Sequence, residues 1–120
     1  MKILVVVDMQ NDFITGVLGT KEAQTIIPNV VNKIKEYIKS GNKVIFTMDT
    51  HNENSYMLSQ EGKKLPVKHC IYETDGWELC KEVKNAQNSI KDEQKTIMKP
   101  TFGSLELAKE LENYYPDEIE

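Results

Sequence analysis

The chain opens with an unbroken aliphatic run, Ile3-Leu4-Val5-Val6-Val7, that stops at a carboxylate, Asp8. No polar residue alternates within it, so the run predicts a strand covered on both faces, as in a parallel sheet flanked by helices. The pattern then dissolves. Ile14 to Thr25 contains Gly16 and Gly19 and little periodicity, which predicts a loop over the end of that strand. From Pro28 to about Ser40, Val30, Val31, Ile34, Tyr37 and Ile38 recur on one helical stripe, with proline at the start and Gly41 at the stop. Lys43 to Met48 repeats the layout of the first strand and ends in Asp49-Thr50-His51. Strand, helix and strand in close succession make a βαβ unit with parallel strands, so Asp8 and Asp49 are expected on the same edge.

The second half is more polar. Asn52 to Lys68 carries Gly62 and Pro66 and predicts a long excursion, of a kind that compact domains rarely keep without a use. Tyr72 to Val83 predicts a short helix capped by Asp75, with Trp77, Cys80 and Val83 facing inward. Lys95 to Met98 predicts a third strand, followed by Lys99-Pro100, where proline disfavours helical geometry at the lysine. Ser104 to Tyr114 predicts a closing amphipathic helix with Leu105, Ala108, Leu111 and Tyr115 near one face and Pro116 as its stop. A regular α/β repeat calls for a strand next, where the sequence ends. The class is α/β, with residues 1–120 forming one domain.

Composition narrows the partners. All 15 basic residues are lysine, interleaved with 19 acids at a formal net charge of -4. Guanidinium forks and basic stripes are therefore missing, and neither nucleic acid nor a membrane surface is an expected partner. The amino-terminal apolar run is too short for a signal-peptide core, no stretch is long enough to span a bilayer, and two cysteines make no disulfide framework. A reduced, cytoplasmic location is expected.

The polar residues that end the strands are the candidates for chemistry. In open parallel sheets ligands bind outside the carboxyl ends of the strands, so Asp8 is either a site carboxylate or a turn-making cap. Asp49 and His51 stand two apart at a strand end, which puts both side chains on one face at a spacing that suits two ligands of one ion. His69 is the only other histidine. Histidines in loops are usually surface residues, so the residues alone leave both readings open.

Asp8-Met9-Gln10-Asn11-Asp12-Phe13 resembles the DxQNDF signature of the isochorismatase-like cysteine hydrolases, the superfamily that holds nicotinamidases and related amidases. That resemblance implies a Rossmann-like, doubly wound parallel sheet of order 3-2-1-4-5-6, of which this chain would hold strands 1–3 in the order 3-2-1, with strands 4–6 absent. It implies an Asp-Lys-Cys triad in which Asp8 is the general base and Lys99, in Lys99-Pro100-Thr101-Phe102-Gly103-Ser104-Leu105, its catalytic partner. Such an ammonium can stabilise a thiolate or a developing oxyanion. Phe13 would line the substrate pocket. Asp49, His51 and His69 would bind a divalent metal, His69 within Leu65-Pro66-Val67-Lys68-His69-Cys70. Leucine stands there where many nicotinamidases have tryptophan, with one extra residue before the histidine. Mixed nitrogen and oxygen ligands suit zinc first, with iron or manganese as alternatives.

The implied reaction is hydrolysis of a small-molecule amide to acid and ammonia through a thioester. The nucleophilic cysteine of the superfamily follows the fourth strand, in a segment resembling G-x-x-T-x-x-C-V that this sequence lacks. Cys70 adjoins His69, but neighbours in an extended chain point apart, and Cys80 reads as a small core residue. The expectation is a domain truncated at its carboxyl end and inactive by itself. The free side of its first strand would be bare and prone to pair with another chain, favouring a homo-oligomer. The alternatives are a non-catalytic remnant that binds metal and ligand, and an isochorismatase-type ether hydrolase, against which the Asp/His/His set argues.

Overall fold

The computed structural model describes residues 1–91, 95–100, 104–114 and 116–120. Three parallel strands form the sheet predicted from the apolar runs: β1 (Lys2–Val7), β2 (Lys43–Asp49) and β3 (Lys95–Lys99), in the order β3-β2-β1. Ile3 pairs with Lys43 and Val7 with Thr47, while Ile45 pairs with Lys95 and Asp49 with Lys99. This register brings the polar ends of all three strands to one edge.

Alternation along the strands divides the core into two layers. Leu4, Val6, Val44, Phe46 and Met48 pack with Ile34, Tyr37, Val83 and Ala86. Ile34 and Tyr37 belong to helix α3 (Ile27–Lys39), and Val83 and Ala86 to α5 (Lys81–Asn88). On the opposite face Ile3, Ile45 and Ile97, all 0% exposed, meet Leu107, Leu111 and Tyr114 of α6 (Leu105–Tyr114). Both faces are covered, as the absence of polar alternation requires.

Helix α3 ends where Gly41 predicts. Its φ is +75°, its amide donates to Ile38 O, and Asn42 N donates to Tyr37 O, which together close a Schellman motif.

The structure corrects several sequence expectations. The stretch 14–25, read as loop, contains α2 (Lys21–Thr25), whose first turn is capped by the Thr20 hydroxyl accepting from Ala23 N. It follows the four-residue α1 (Asn11–Ile14). The excursion 52–68 holds a 3-10 turn (Tyr56–Leu58) and α4 (Gln60–Lys64), capped by Ser59. The helix expected over Tyr72–Val83 begins only at Lys81, because the preceding carbonyls are already engaged. Asp75 O accepts from the Asn11 side chain, Gly76 O from Asp12 N, Trp77 O from Gln10 Nε2 and Glu78 O from Asn11 N. On α6, Leu111 packs as expected, but Leu105 is 82% exposed and Ala108 is exposed too, and Leu107 and Tyr114 complete the packed stripe. Tyr115, expected on that face, lies outside the described residues.

The free side of β1 is not bare. A two-residue strand, β4 (Glu118–Ile119), pairs with it in parallel at Lys2 and Ile3. Glu120 N then donates to Ile3 O, and Val5 N to Glu120 O. Val7 lies past the last of these bonds and is 57% exposed. The uncovered part of this side floors an apolar groove of about 510 Å³, lined by Val5, Val7, Met9, Ile26 and Val30 among others.

Candidate active site and metal centre

Asp8, the first residue beyond β1, takes a left-handed φ of +51° that turns the chain off the sheet. Its amide still donates to Thr47 O, so the turn starts from a fixed point. The carboxylate accepts from β2 beside it and from β3 beyond. Thr47 Oγ1 donates to Oδ1 at 2.8 Å and Lys99 Nζ to Oδ2 at 2.7 Å. The Lys99 side chain is 6% exposed and that of Asp8 19%, so this is a shielded, charge-assisted bond. Thr47 was missed by sequence reasoning. Its place at the third position of an apolar Ile-Phe-Thr-Met run reads as a strand residue, and only pairing in the sheet reveals its partner.

A second cluster forms where β2 ends. His51 Nε2 lies 2.9 Å and His69 Nε2 3.2 Å from Asp49 Oδ2. Glu61, from α4, approaches the two imidazoles at 3.6 and 3.9 Å. One donor atom from each of Asp49, His51, Glu61 and His69 falls within 4.8 Å of every other, and all four groups are buried. Sequence reasoning found three of them. Glu61 sits in a polar stretch without ligand spacing, and it is placed by two local features. Ser59 caps α4, and Gly62 lies so close to the Tyr56 carbonyl that a Cβ there would collide with it.

The chemistry of this set fits a divalent cation. Two carboxylates are buried side by side, and Asp49 Oδ1 and Glu61 Oε2 have no hydrogen-bond partner. Buried unpaired acceptors are costly unless something positive meets them. His69 Nδ1 lies 2.8 Å from Val67 O, an arrangement in which Nδ1 carries the proton and Nε2 keeps its lone pair for a metal. Two nitrogens and two carboxylate oxygens suit zinc, and also iron or manganese.

Rings surround the cluster. Phe13 meets the His69 ring edge-on at 5.4 Å, and Tyr56 meets the rings of both histidines at 4.8 and 5.2 Å. The Tyr56 hydroxyl donates to Leu65 O at 2.6 Å, and burial, with Glu61 and Asp49 nearby, raises its pKa.

Neither cysteine joins these groups as an activated thiol. Cys70 is fully buried, and burial followed by the charges of Asp49, Asp12 and Asp8 pushes its thiol well above its ordinary range. Cys80 is buried at the start of α5, and burial raises its thiol as well.

Comparison with known proteins places this edge in context. A family model, the isochorismatase domain, matches residues 2–118, and the chain belongs to that family. Among solved structures it resembles the pyrazinamidase of Pyrococcus horikoshii in complex with zinc, with 28% identity, a TM-score of 0.78, and coverage of 98% of this chain and 67% of that one. It also resembles the N-carbamoylsarcosine amidase of Thermoplasma acidophilum, with 25% identity, a TM-score of 0.75, and coverage of 98% and 64%. The nicotinamidase/pyrazinamidase of Bacillus subtilis, 23% identical with a TM-score of 0.80 and coverage of 98% and 68%, shares the fold. The chain thus spans about two thirds of the length of these solved relatives. No curated protein sequence matches it significantly.

Proposed function

We propose that this chain carries the base and the metal centre of a nicotinamidase-like cysteine amidohydrolase, one that cleaves a small carboxamide to acid and ammonia. The observation that carries this reading is the 2.7 Å contact of Lys99 Nζ with Asp8 Oδ2 on the sheet edge that also bears the Asp49, His51, Glu61 and His69 cluster.

In the proposed reaction Asp8 takes the proton of a cysteine thiol, and the sulfur attacks the carboxamide carbon. The proton passes to the leaving nitrogen, ammonia departs, and a thioester remains. Water, deprotonated by Asp8, then cleaves the thioester to the acid and returns the thiol. Lys99 offsets the negative charge that develops on sulfur and oxygen. Asp49, His51, Glu61 and His69 would hold a divalent ion, with zinc the first choice, and that ion would supply a Lewis-acidic anchor for a polar substrate atom. Phe13, against His69, would form an apolar wall of the pocket.

The thiol itself is the open requirement. Cys70 and Cys80 are buried, and burial raises both thiols above their ordinary range. The 120 residues alone are therefore proposed to be inactive as an amidase. The same buried cysteines favour a second reading, a protein that binds metal and a small molecule without catalysis. The half-open side of β1 and its apolar groove support self-association into a homo-oligomer.

The test is ammonia release from nicotinamide by a preparation whose intact mass ends at Glu120, alongside calorimetric binding of nicotinamide. Binding without turnover is expected, and Phe13→Ala should weaken it. Turnover that survives Cys70→Ala would overturn the thiol chemistry, and a total lack of binding would sink the carboxamide assignment.

A further inference from the structure

Asp8 and Phe13 have proposed roles, but the polar residues between them, Gln10 and Asp12, do not. Gln10 is 0% exposed, and both ends of its amide are used. Its Oε1 accepts from Asp49 N at 2.8 Å, and its Nε2 donates to Asp49 O and to Trp77 O, each at 2.8 Å. One side chain thus grips the backbone of a metal-ligand candidate from both sides and ties it to the segment that follows the other ligands.

Asp12 does the corresponding work at His69. Its Oδ2 accepts from Cys70 N at 2.8 Å, at the residue that directly follows that histidine. Cys70 has a φ of +49°, a region that residues with side chains seldom enter. Its carbonyl in turn accepts from His51 N at 3.0 Å. The carboxylate of Asp12 is also given room: a Cβ built at Gly16 or Gly76 would collide with it.

We propose that Gln10 and Asp12 are positioning residues for the metal centre, Gln10 setting Asp49 and Asp12 setting His69, so that ligands from separate segments converge. The proposal rests on the reading that Asp49, His51, Glu61 and His69 hold a divalent cation. The printed bonds run to main-chain atoms, from Gln10 to Asp49 N and O and from Asp12 to Cys70 N, and not to the ligand atoms themselves. They act on the backbone that carries the ligands, and so fix ligand positions as the partners that bond ligand side chains do elsewhere, where their loss weakens binding about 10- to 100-fold.

The experiment titrates zinc against a competing chelator and records the visible spectrum of the cobalt(II)-loaded protein. It compares the wild-type chain, Asp12→Ala, Asp12→Asn, Gln10→Met and a remote core control, Val83→Ala. Zinc affinity should fall about 10- to 100-fold in Asp12→Ala and Gln10→Met. Asp12→Asn, which keeps an acceptor for Cys70 N, should restore most of it. The cobalt spectrum should shift in the two weak binders and not in Val83→Ala, although that control loses stability too. If Gln10→Met fails to fold, the two Asp12 variants decide the matter. A wild-type chain that binds neither ion overturns the metal reading and this proposal with it. Wild-type binding that Asp12→Ala and Gln10→Met leave unchanged, or that Val83→Ala weakens equally, overturns the positioning role alone.

Discussion

Lys99 reaches across the whole of β2 to place its ammonium 2.7 Å from Asp8 Oδ2, with Thr47 donating to the other carboxylate oxygen from the strand beneath. Neighbouring strands lie about 4.8 Å apart, so only a long, flexible cation on β3 can meet a carboxylate at the end of β1. The contact joins three strands at the edge where the metal-ligand candidates also gather.

Removing the cation should therefore damage stability as well as chemistry. Lys99→Met leaves the shielded Asp8 carboxylate without its charged partner and should cost about 3–5 kcal/mol. The double variant with Asp8→Asn should cost less than the two single changes together, because no lone charge remains. Urea denaturation of the four proteins measures both effects, and strictly additive losses would argue against coupling.

Zinc should stabilise the fold by binding it in preference to the unfolded chain. At free metal about a thousandfold above the dissociation constant the gain is about 4 kcal/mol. Thermal denaturation with zinc and then with excess chelator should show a reversible rise in Tm, and elemental analysis should find about one ion per chain. His51→Ala should abolish the rise and Glu61→Gln should reduce it.

Gly62→Ala should be harmful although it adds only a methyl group. The new Cβ would strike the Tyr56 carbonyl, so α4 must shift and take Glu61 with it. A stability loss of about 1–3 kcal/mol is expected, as for other overpacked sites. Zinc affinity should fall in the same variant. Unchanged affinity would remove Glu61 from the ligand set.

Alkaline pH should reveal the bond between Tyr37 and Glu120. The Tyr37 hydroxyl donates to Glu120 Oε1 at 2.7 Å; that bond first, then burial and the Glu120 charge, push its pKa up to about 12 from 10.0. The unfolded chain gives up this proton first. The contribution is thus complete below about pH 10 and is lost as pH rises towards about 12. Tyr37→Phe should flatten that part of the stability curve in melts at stepped pH. Identical alkaline slopes in the two proteins would show that the bond does not form.

The elements legible from the sequence were those set by long apolar patterns. Ile3–Val7 and Val44–Met48 declare covered strands by their short apolar runs and α3 by its helical stripe, and Gly41 marks a stop that the backbone obeys. Illegible were the features created by tertiary bonds. Residues 75–78 could have continued as helix, and they do not because Gln10, Asn11 and Asp12 occupy their carbonyls. At the candidate site, the residues at strand ends could be read from position and resemblance. The partners of Thr47, Glu61, Gln10 and Asp12 could not, since each is distant in sequence or set by a short capped turn, even though Gln10 and Asp12 lie within the signature itself.

The protein has one tryptophan, and Trp77 Nε1 donates to Thr50 Oγ1 at 2.9 Å while Tyr72 lies edge-on to its ring at 5.0 Å. Thr50 is the residue between Asp49 and His51. An indole bonded there is a built-in optical reporter. Its emission wavelength follows the polarity and rigidity of the strand end that carries two of the ligand candidates. Mixing the unlabelled chain with zinc in a stopped-flow fluorimeter should therefore shift the indole emission, and Thr50→Val, which deletes the acceptor, should reduce that shift.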